Sequence, residues 1–384
     1  MKELEKYLNS KIGISNNKNL ELLKLFFTKS QLADLSNRTI AVVGTNGKTS
    51  TVNFIHQLLK KNNKSSLMFT SPHLVEYTER IQSDKNLNLE SNLDLVKDFE
   101  EKNNTILGYF ETLFLLASQL FLDSELDYFV SEAGIGGKLD TTSVIQSQNV
   151  VLTSIGKDHQ DLLGYTDHEV LNQKIYISSN IKNLFVGDIN PELKNLILNN
   201  YPNSKVKYFL SDFINNLNIE MSDLSANQKN YLLALNTVSL LLEININNEV
   251  NNLGTIEGRF EIVNQDPLKV LDGAHNLDGI KHFFKDYENQ FNYEKTDVFV
   301  GFKKGKDLES IISYIKSKNK YSIYFIQENS FYDQENSSDY LEYFQKENIE
   351  YRVASLEAFS SNKNPSILLG SLYLIGEYKK RKLV

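Results

Sequence analysis

Thr39-Ile40-Ala41-Val42-Val43-Gly44-Thr45-Asn46-Gly47-Lys48-Thr49-Ser50-Thr51 is the stretch on which the reading of this chain turns. Its first five residues are β-branched or small and apolar, the composition of a buried parallel strand. After the glycine-containing turn, Val52, Ile55, Leu58 and Leu59 recur at helical spacing and predict an amphipathic helix. Strand, glycine turn and helix together are the setting that a phosphate-cradling loop needs. Glycines let backbone N–H groups close on phosphate oxygens, and the helix N-terminus adds partial positive charge. In that reading Gly44, Thr45, Asn46 and Gly47 form the cradle and Lys48 reaches the terminal phosphates of a nucleoside triphosphate, while a hydroxyl of Thr49 or Ser50 holds Mg2+. The strict pattern has a further glycine where Val42 stands, so the match is one glycine short. The competing reading is an ordinary βα turn with a surface lysine, and the strand–helix context disfavours it.

Outward from that stretch, the chain has 384 residues, enough for two or three domains. A net charge of −8 argues against nucleic acid as the main partner, because such proteins carry a basic footprint. The one short basic run, Lys379-Lys380-Arg381-Lys382, ends a predicted C-terminal helix, where it suits the helix dipole. Cysteine is absent, which excludes disulfides, thiolate metal sites and thiol nucleophiles. Met1-Lys2-Glu3-Leu4-Glu5-Lys6 has no signal-peptide apolar core, and the apolar run Leu113 to Leu122 is too short to span a bilayer. The expectation is a cytoplasmic, soluble monomer with small-molecule substrates and no membrane or nucleic-acid partner.

From Thr39 to about Leu162, short β-branched runs alternate with helical patterns, predicting a parallel sheet covered by helices. Tyr128-Phe129-Val130 runs into Glu132-Ala133-Gly134-Ile135-Gly136-Gly137, and Asn149 to Ile155 runs into Gly156-Lys157-Asp158-His159. Both place polar, glycine-containing loops past a strand's carboxyl end, where open α/β sheets bind ligands. Asn180 to Asn227 reads as strands and short helices, and Gln228 to Glu243 as a helix. Strands then restart at Lys269-Val270-Leu271, Asp297 to Val300, Tyr321 to Ile326 and Ser366 to Leu369. The predicted fold is α/β: a phosphate-loop parallel-sheet domain over residues 1–250, a linker at 251–257, and a smaller Rossmann-like α/β domain over 258–384.

Two side chains near the loop have the right chemistry for a metal. Glu132 is a carboxylate one strand over, the expected Mg2+-side partner, with helix capping as the alternative. His159 is a less common ligand for a hard cation, and a non-ligand role is equally open.

Taken in order, the motifs resemble the folylpolyglutamate synthase/dihydrofolate synthase family, a branch of the Mur-type amide ligases. The resembling residues begin with Gly44 to Lys48, Thr70-Ser71-Pro72-His73-Leu74 with Glu79-Arg80-Ile81, and Phe110-Glu111. They continue with Glu132 to Gly137, Leu139-Asp140-Thr141, and Thr153 to His159. Gly258-Arg259-Phe260-Glu261, Leu271-Asp272-Gly273-Ala274-His275-Asn276, Lys306-Asp307 and Gly370-Ser371-Leu372-Tyr373 complete the set. The resemblance implies Mur-ligase architecture and an ATP-dependent ligase that activates a pteroate or folate carboxylate as an acyl phosphate, which the amino group of L-glutamate then attacks. It implies that Lys48 neutralises the ATP phosphates and that Ser71, Glu132, His159 and Thr49 surround Mg2+, with two ions expected. Arg259, Asp272 and His275 are implied to meet the nucleotide and the reacting groups from the second domain, and Asn230 the adenine side. That arrangement needs the domains to close about a hinge near Asn251 to Ile256. Phe110, Asp140 and His73 are candidates for the folate side.

Thr166-Asp167-His168-Glu169 reads as a capping box opening a helix that carries Lys174. In the family a lysine at this place is often carbamylated and helps hold the second Mg2+, whereas the residues alone equally allow an exposed helix lysine. Helix capping alone would likewise account for Asp272, and a helix-start pair for Lys306-Asp307. The chain departs from the family at Thr49-Ser50, in Gln82 to Asn86, at Ser143 and at Lys157. These changes cluster on the folate-side loops and leave substrate preference open. The rivals are a Mur-type ligase for another carboxylate, against which only 38 residues before the first strand count, and a non-catalytic ATP-binding switch.

Overall fold

The computed structural model describes residues 2–14, 19–200, 206–245, 254–303, 305–326, 344–345 and 352–381. The chain divides into two compact units, one of Met1–Ser71 with Tyr77–Leu253, the other of Pro72–Glu76 with Gly254–Val384. Much of the segment expected as a hinge, including 251–253, lies outside the described residues.

In the first unit the strands are β1 (Thr39–Val43), β2 (Ser66–Phe69), β3 (Ile81–Ser83), β4 (Tyr128–Glu132), β5 (Asn149–Leu152), β6 (Asn183–Val186) and β7 (Val206–Phe209). They form one sheet in the order β3-β2-β4-β1-β5-β6-β7, parallel except for the short edge strand β3. Every residue of β1 is buried, as its unbroken apolar run requires of a central strand covered on both faces. Helix Lys48–Lys61 follows, and Val52, Ile55, Leu58 and Leu59 are all in the core. Each such side chain contributes about 1.5–3 kcal/mol of apolar burial. The apolar run near Leu113 is part of helix Tyr109–Asp123, buried on every side from Thr112 to Phe121. Among the described residues, no helix is long and apolar enough to cross a membrane.

The second unit contains β8 (Glu261–Gln265), β9 (Leu268–Asp272), β10 (Thr296–Val300), β11 (Tyr321–Ile326), β12 (Arg352–Ala354) and β13 (Ser366–Leu369). The sheet order is β12-β11-β10-β13-β9-β8, with β8 the antiparallel edge. The four strands read from sequence are present. β8 and β12 carry no clear strand signal in the sequence. β8 is only partly buried and polar along much of its length, and β12 has three residues with two of them exposed, so neither carries an apolar run.

Chain order reverses around β1, which lies between β4 and β5, and ligands of open α/β sheets collect outside such a point. Val42 pairs with Glu132 and Val43 with Leu152. The loop starting at Gly44 therefore emerges between the ends of β4 and β5.

Candidate active site

Gly44 to Gly47 are clipped to the loop leaving β5. Thr45 N donates to Ser154 O at 2.9 Å, Asn46 N to Ser154 Oγ at 3.0 Å, and Thr153 Oγ1 to Asn46 O at 2.6 Å. A Cβ on Gly44 would stand 1.9 Å from Thr153 Oγ1, so only glycine fits there. Gly47 has φ +83° and caps helix Lys48–Lys61, a left-handed conformation that glycine adopts without steric cost. Asn230, from helix Ala226–Leu242, packs against it, with Oδ1 2.4 Å from where a Gly47 Cβ would lie. Ser50 is buried in the first turn of the Lys48 helix.

Two lysines share one carbonyl at this loop. Lys48 Nζ donates to Gly44 O at 3.0 Å and Thr45 O at 3.1 Å, and Lys174 Nζ donates to Gly44 O at 2.8 Å. The capping box of Thr166 and Glu169 starts helix Asp167–Ile175 as the sequence predicts, and Lys174 occupies its last turn. Lys174 is 3% exposed, which rules out the reading of an ordinary exposed lysine. The loop after β4 holds it there, since Lys138 N donates to Gln173 O at 2.7 Å and Gly137 lies flat against the Lys174 backbone. Burial first, and then the Lys48 charge, push the Lys174 amine down to about 7, against the opposing pull of Asp158 and Asp140.

Glu132, 2% exposed at the end of β4, draws together three of the residues expected at a metal. Its Oε1 accepts from Thr49 Oγ1 at 3.1 Å and its Oε2 from Ser71 N at 3.1 Å. It joins the first turn of helix Lys48–Lys61 to the loop after β2 and is not a helix cap. A carboxylate beside hydroxyl-bearing residues suits a hard cation, which takes oxygen ligands and keeps waters. His159 stands on the β5 side, its ring Nε2 3.9 Å from Asp158 Oδ2 and its backbone at φ +49°. Among the described residues no three His, Asp or Glu side chains converge as a preformed cage. The left-handed backbone at His159 costs a non-glycine residue energy, and such strain clusters at functional sites.

On the candidate folate side, Phe110 begins helix Tyr109–Asp123 and rests on Phe69, ring centroids 5.3 Å apart. The Phe110 ring and Asp140 Oδ2 both flank Gly134. The Asp140 carboxylate is engaged by its own loop, accepting from Ile135 N, Thr142 N and Thr142 Oγ1 at 2.7–3.0 Å. His73 is half-buried in Pro72–Glu76, the segment grouped with the second unit.

Within the second unit, Arg259, Asp272 and His275 gather around Gly273. Arg259 Nη1 lies 3.0 Å from where a Gly273 Cβ would be, and His275 Nδ1 is 2.9 Å from Gly273 O. Asp272 accepts from Phe260 N and Ala274 N, both at 2.7 Å, whereas Asn276 caps the following helix, so Asp272 is no helix cap. Desolvation of its carboxyl group raises its pKa, and Arg259 and the two N–H groups oppose that rise. Asp307 does cap helix Leu308–Ser317, with Ser310 N donating to it. Thr153, Ser154 and Asp158 also belong to this site, although within the run Thr153 to His159 the sequence points to His159 alone. The signal available was the placement of that run at the end of the strand next to β1.

A family model described as the Mur ligase middle domain matches residues 42–264. A dihydrofolate synthase/folylpolyglutamate synthase of Buchnera aphidicola subsp. Schizaphis graminum is 30% identical over 343 residues, covering 84% of this chain and 80% of that relative. Among solved structures, E. coli FolC in complex with DHPP and ADP matches with a TM-score of 0.80 at 20% identity, over 99% of this chain and 97% of that one. A bifunctional folylpolyglutamate synthase/dihydrofolate synthase with Mn, AMPPNP and L-glutamate bound also gives 0.80 at 20% identity, over 99% and 98%. The structural likeness carries the fold, and the sequence matches carry the family: the chain belongs to the folylpolyglutamate synthase/dihydrofolate synthase family of the Mur ligases.

Proposed function

We propose that this chain is an ATP-dependent ligase that joins L-glutamate to a pteroate or folate carboxylate through an acyl phosphate. The observation that carries the site assignment is the meeting of Lys48 and Lys174 on the Gly44 carbonyl, beside the buried Glu132 that holds Thr49 and Ser71. One solved relative holds DHPP and ADP, and another holds Mn, AMPPNP and L-glutamate. We assign the same classes of substrate, nucleotide and divalent cation to this chain.

In this reading Lys48 exchanges its carbonyl partners for the triphosphate, whose anionic oxygens are stronger acceptors. Its charge and the N-terminal N–H groups of helix Lys48–Lys61 offset the negative charge gathered when a carboxylate approaches a phosphate. The substrate carboxylate oxygen attacks the γ-phosphorus and ADP leaves. The glutamate amine then attacks the acyl carbon, and phosphate departs with the carboxylate's former oxygen. Glu132, Thr49, Ser71 and His159 would hold Mg2+, which when bound neutralises charge on the transferring phosphoryl group. Lys174, with its pKa lowered to about 7, supplies the neutral amine that reaction with CO2 requires, and that supports its assignment as the carbamylated lysine. Asn230, Arg259 and Asp272 are assigned to the nucleotide, His275 to the reacting groups, and Phe110, Asp140 and His73 to the folate side. We take the protein to act as a cytoplasmic monomer, with light scattering as the check on its mass.

The test is ADP release with MgATP and L-glutamate, adding dihydropteroate or tetrahydrofolate in parallel and weighing the products. Glutamate added to dihydropteroate marks a dihydrofolate synthase, addition to tetrahydrofolate a tail-extending enzyme, and addition to both a bifunctional one. No glutamate adduct on either, from folded protein that binds ATP, would overturn the proposal.

A further inference from the structure

The turn that carries Arg259 is held in an unfavourable backbone shape. Gly258 has φ +68° and Phe260 φ +46°, so Arg259 lies between two left-handed residues. Such a conformation is costly for phenylalanine and persists only where surrounding contacts over-determine it. The inner contacts come from the turn itself and from the end of β9: Arg259 N donates to Ile256 O at 3.0 Å, Gly273 N to Gly258 O at 2.9 Å, and Phe260 N to Asp272 Oδ2 at 2.7 Å.

The outer contacts converge on a single cation. Glu261 Oε2 accepts from Gly258 N at 2.7 Å, while its Oε1 accepts from Lys379 Nζ at 2.7 Å. Lys379 Nζ also donates to Glu257 Oε2 at 2.7 Å. Lys379 therefore ties both ends of the Glu257–Glu261 segment to helix Leu372–Lys380. The Lys379 and Glu261 side chains are only 14% and 12% exposed, while Glu257 is 71% exposed. The Lys379–Glu261 link is thus shielded from water, where ion pairs with good geometry hold position best. Burial works against the Lys379 charge, but the two glutamates outweigh it and raise its pKa, so the tie persists across physiological pH.

We propose that Lys379, acting through Glu261, is a positioning residue that presets the Gly258–Phe260 turn and so aims Arg259 at the nucleotide. This rests on the assignment of Arg259 to the nucleotide. Lys379 itself touches no reacting atom, and its effect passes through the turn's geometry. Misplacing a charged contact by about 1 Å costs up to about a hundredfold in rate.

The experiment compares Lys379→Met, Lys379→Arg, Glu261→Gln, Arg259→Ala and the Lys379→Met/Arg259→Ala double variant of the full chain, with Lys380→Met as a control for lost charge on the same helix. KM for ATP, KM for the folate substrate and kcat are measured, with thermal melts alongside. Lys379→Met and Glu261→Gln are expected to raise KM for ATP about tenfold and leave the folate KM within twofold. Lys379→Arg should restore most of the loss, and Lys380→Met should match the parent. The double variant should be no worse than Arg259→Ala alone, the signature of two residues acting through one contact. If Arg259→Ala leaves KM for ATP and kcat unchanged, the assignment of Arg259 fails. If Arg259→Ala is impaired while Lys379→Met and Glu261→Gln match the parent, the assignment stands and the positioning role is overturned. Multiplicative losses in the double variant would also overturn it. Should Lys379→Met not fold, Glu261→Gln carries the same comparison.

Discussion

Lys174 and Lys379 both lie in the last turn of a short helix, and both are largely withdrawn from water, yet their surroundings push them in opposite directions. Lys174 is paired with a carbonyl oxygen and has Lys48 for a neighbour, and its pKa falls to about 7. Lys379 has two carboxylates within hydrogen-bonding distance, and its pKa rises. The contrast shows that a buried lysine's role is set by what faces it. At the Gly44 loop, burial and a neighbouring cation bring down the pKa of the amine to which we assign chemistry. In the second unit, a charged amine held by two carboxylates suits the anchoring role proposed for it.

The largest expected effect lies at the loop. Lys48→Ala should lower turnover by about a thousandfold or more, because it removes the cation assigned to the transferring phosphates. It should also narrow the contrast by removing the neighbour that depresses Lys174, so that the Lys174 amine titrates at higher pH in NMR of 13C-methylated lysines. Turnover near the parent level would break the assignment. Next comes the modification itself. With 13C-bicarbonate, a carbamate carbonyl signal should appear in the parent, vanish in Lys174→Met and persist in Lys379→Met. A signal that survives Lys174→Met would place the reactive amine elsewhere.

Much of this site was visible in the chain before its structure. Thr39 to Val43, Tyr128 to Val130 and Asn149 to Leu152 announce themselves as strands because buried parallel strands are built from unbroken apolar runs. Lys48, Thr49 and Glu132 followed from where those strands stop. What stayed hidden depends on contacts distant in sequence. A single lysine in a helix gives no sign of which face is buried, so Lys174 was equally readable as exposed or enclosed. Nor does any local pattern show that Pro72–Glu76 groups with residues beyond Gly254, or that Lys379 ties down a turn 118 residues away. Asp272 resembled a helix cap because it precedes a helix, but Asn276 takes that position and frees Asp272 to bind the Phe260 turn.

The two lysines also predict opposite pH dependences of stability. The folded-state pKa of Lys174 lies below the ordinary lysine value of 10.5. Between pH 7 and 10.5 the unfolded chain therefore binds more protons, and this group makes stability rise with pH across that window and leaves it flat below. Its slope approaches ~1.4 kcal/mol per pH unit. The contribution of Lys379 is fully present below 10.5 and is lost as pH rises through its raised folded pKa. Urea melts of unmodified protein at pH 7, 8 and 9 should show a steeper rise in the parent than in Lys174→Met, and equal slopes would contradict the buried-amine account. The smallest effect is expected at Glu257→Gln, which removes the 71%-exposed partner of Lys379. It should change stability by no more than about 0.5 kcal/mol, because solvent screens exposed pairs. A loss above ~1.5 kcal/mol would mean that Glu257, and not Glu261, is the main anchor.

The most direct test of the ligase account follows one oxygen atom. Dihydropteroate or tetrahydrofolate, whichever is turned over, is labelled with 18O in its carboxylate and incubated with MgATP and L-glutamate, and the released phosphate is analysed by mass. Activation as an acyl phosphate requires one 18O to leave with each phosphate as the amide forms. Phosphate released without the label, in step with ADP, would show that ATP is hydrolysed by water and would contradict the account.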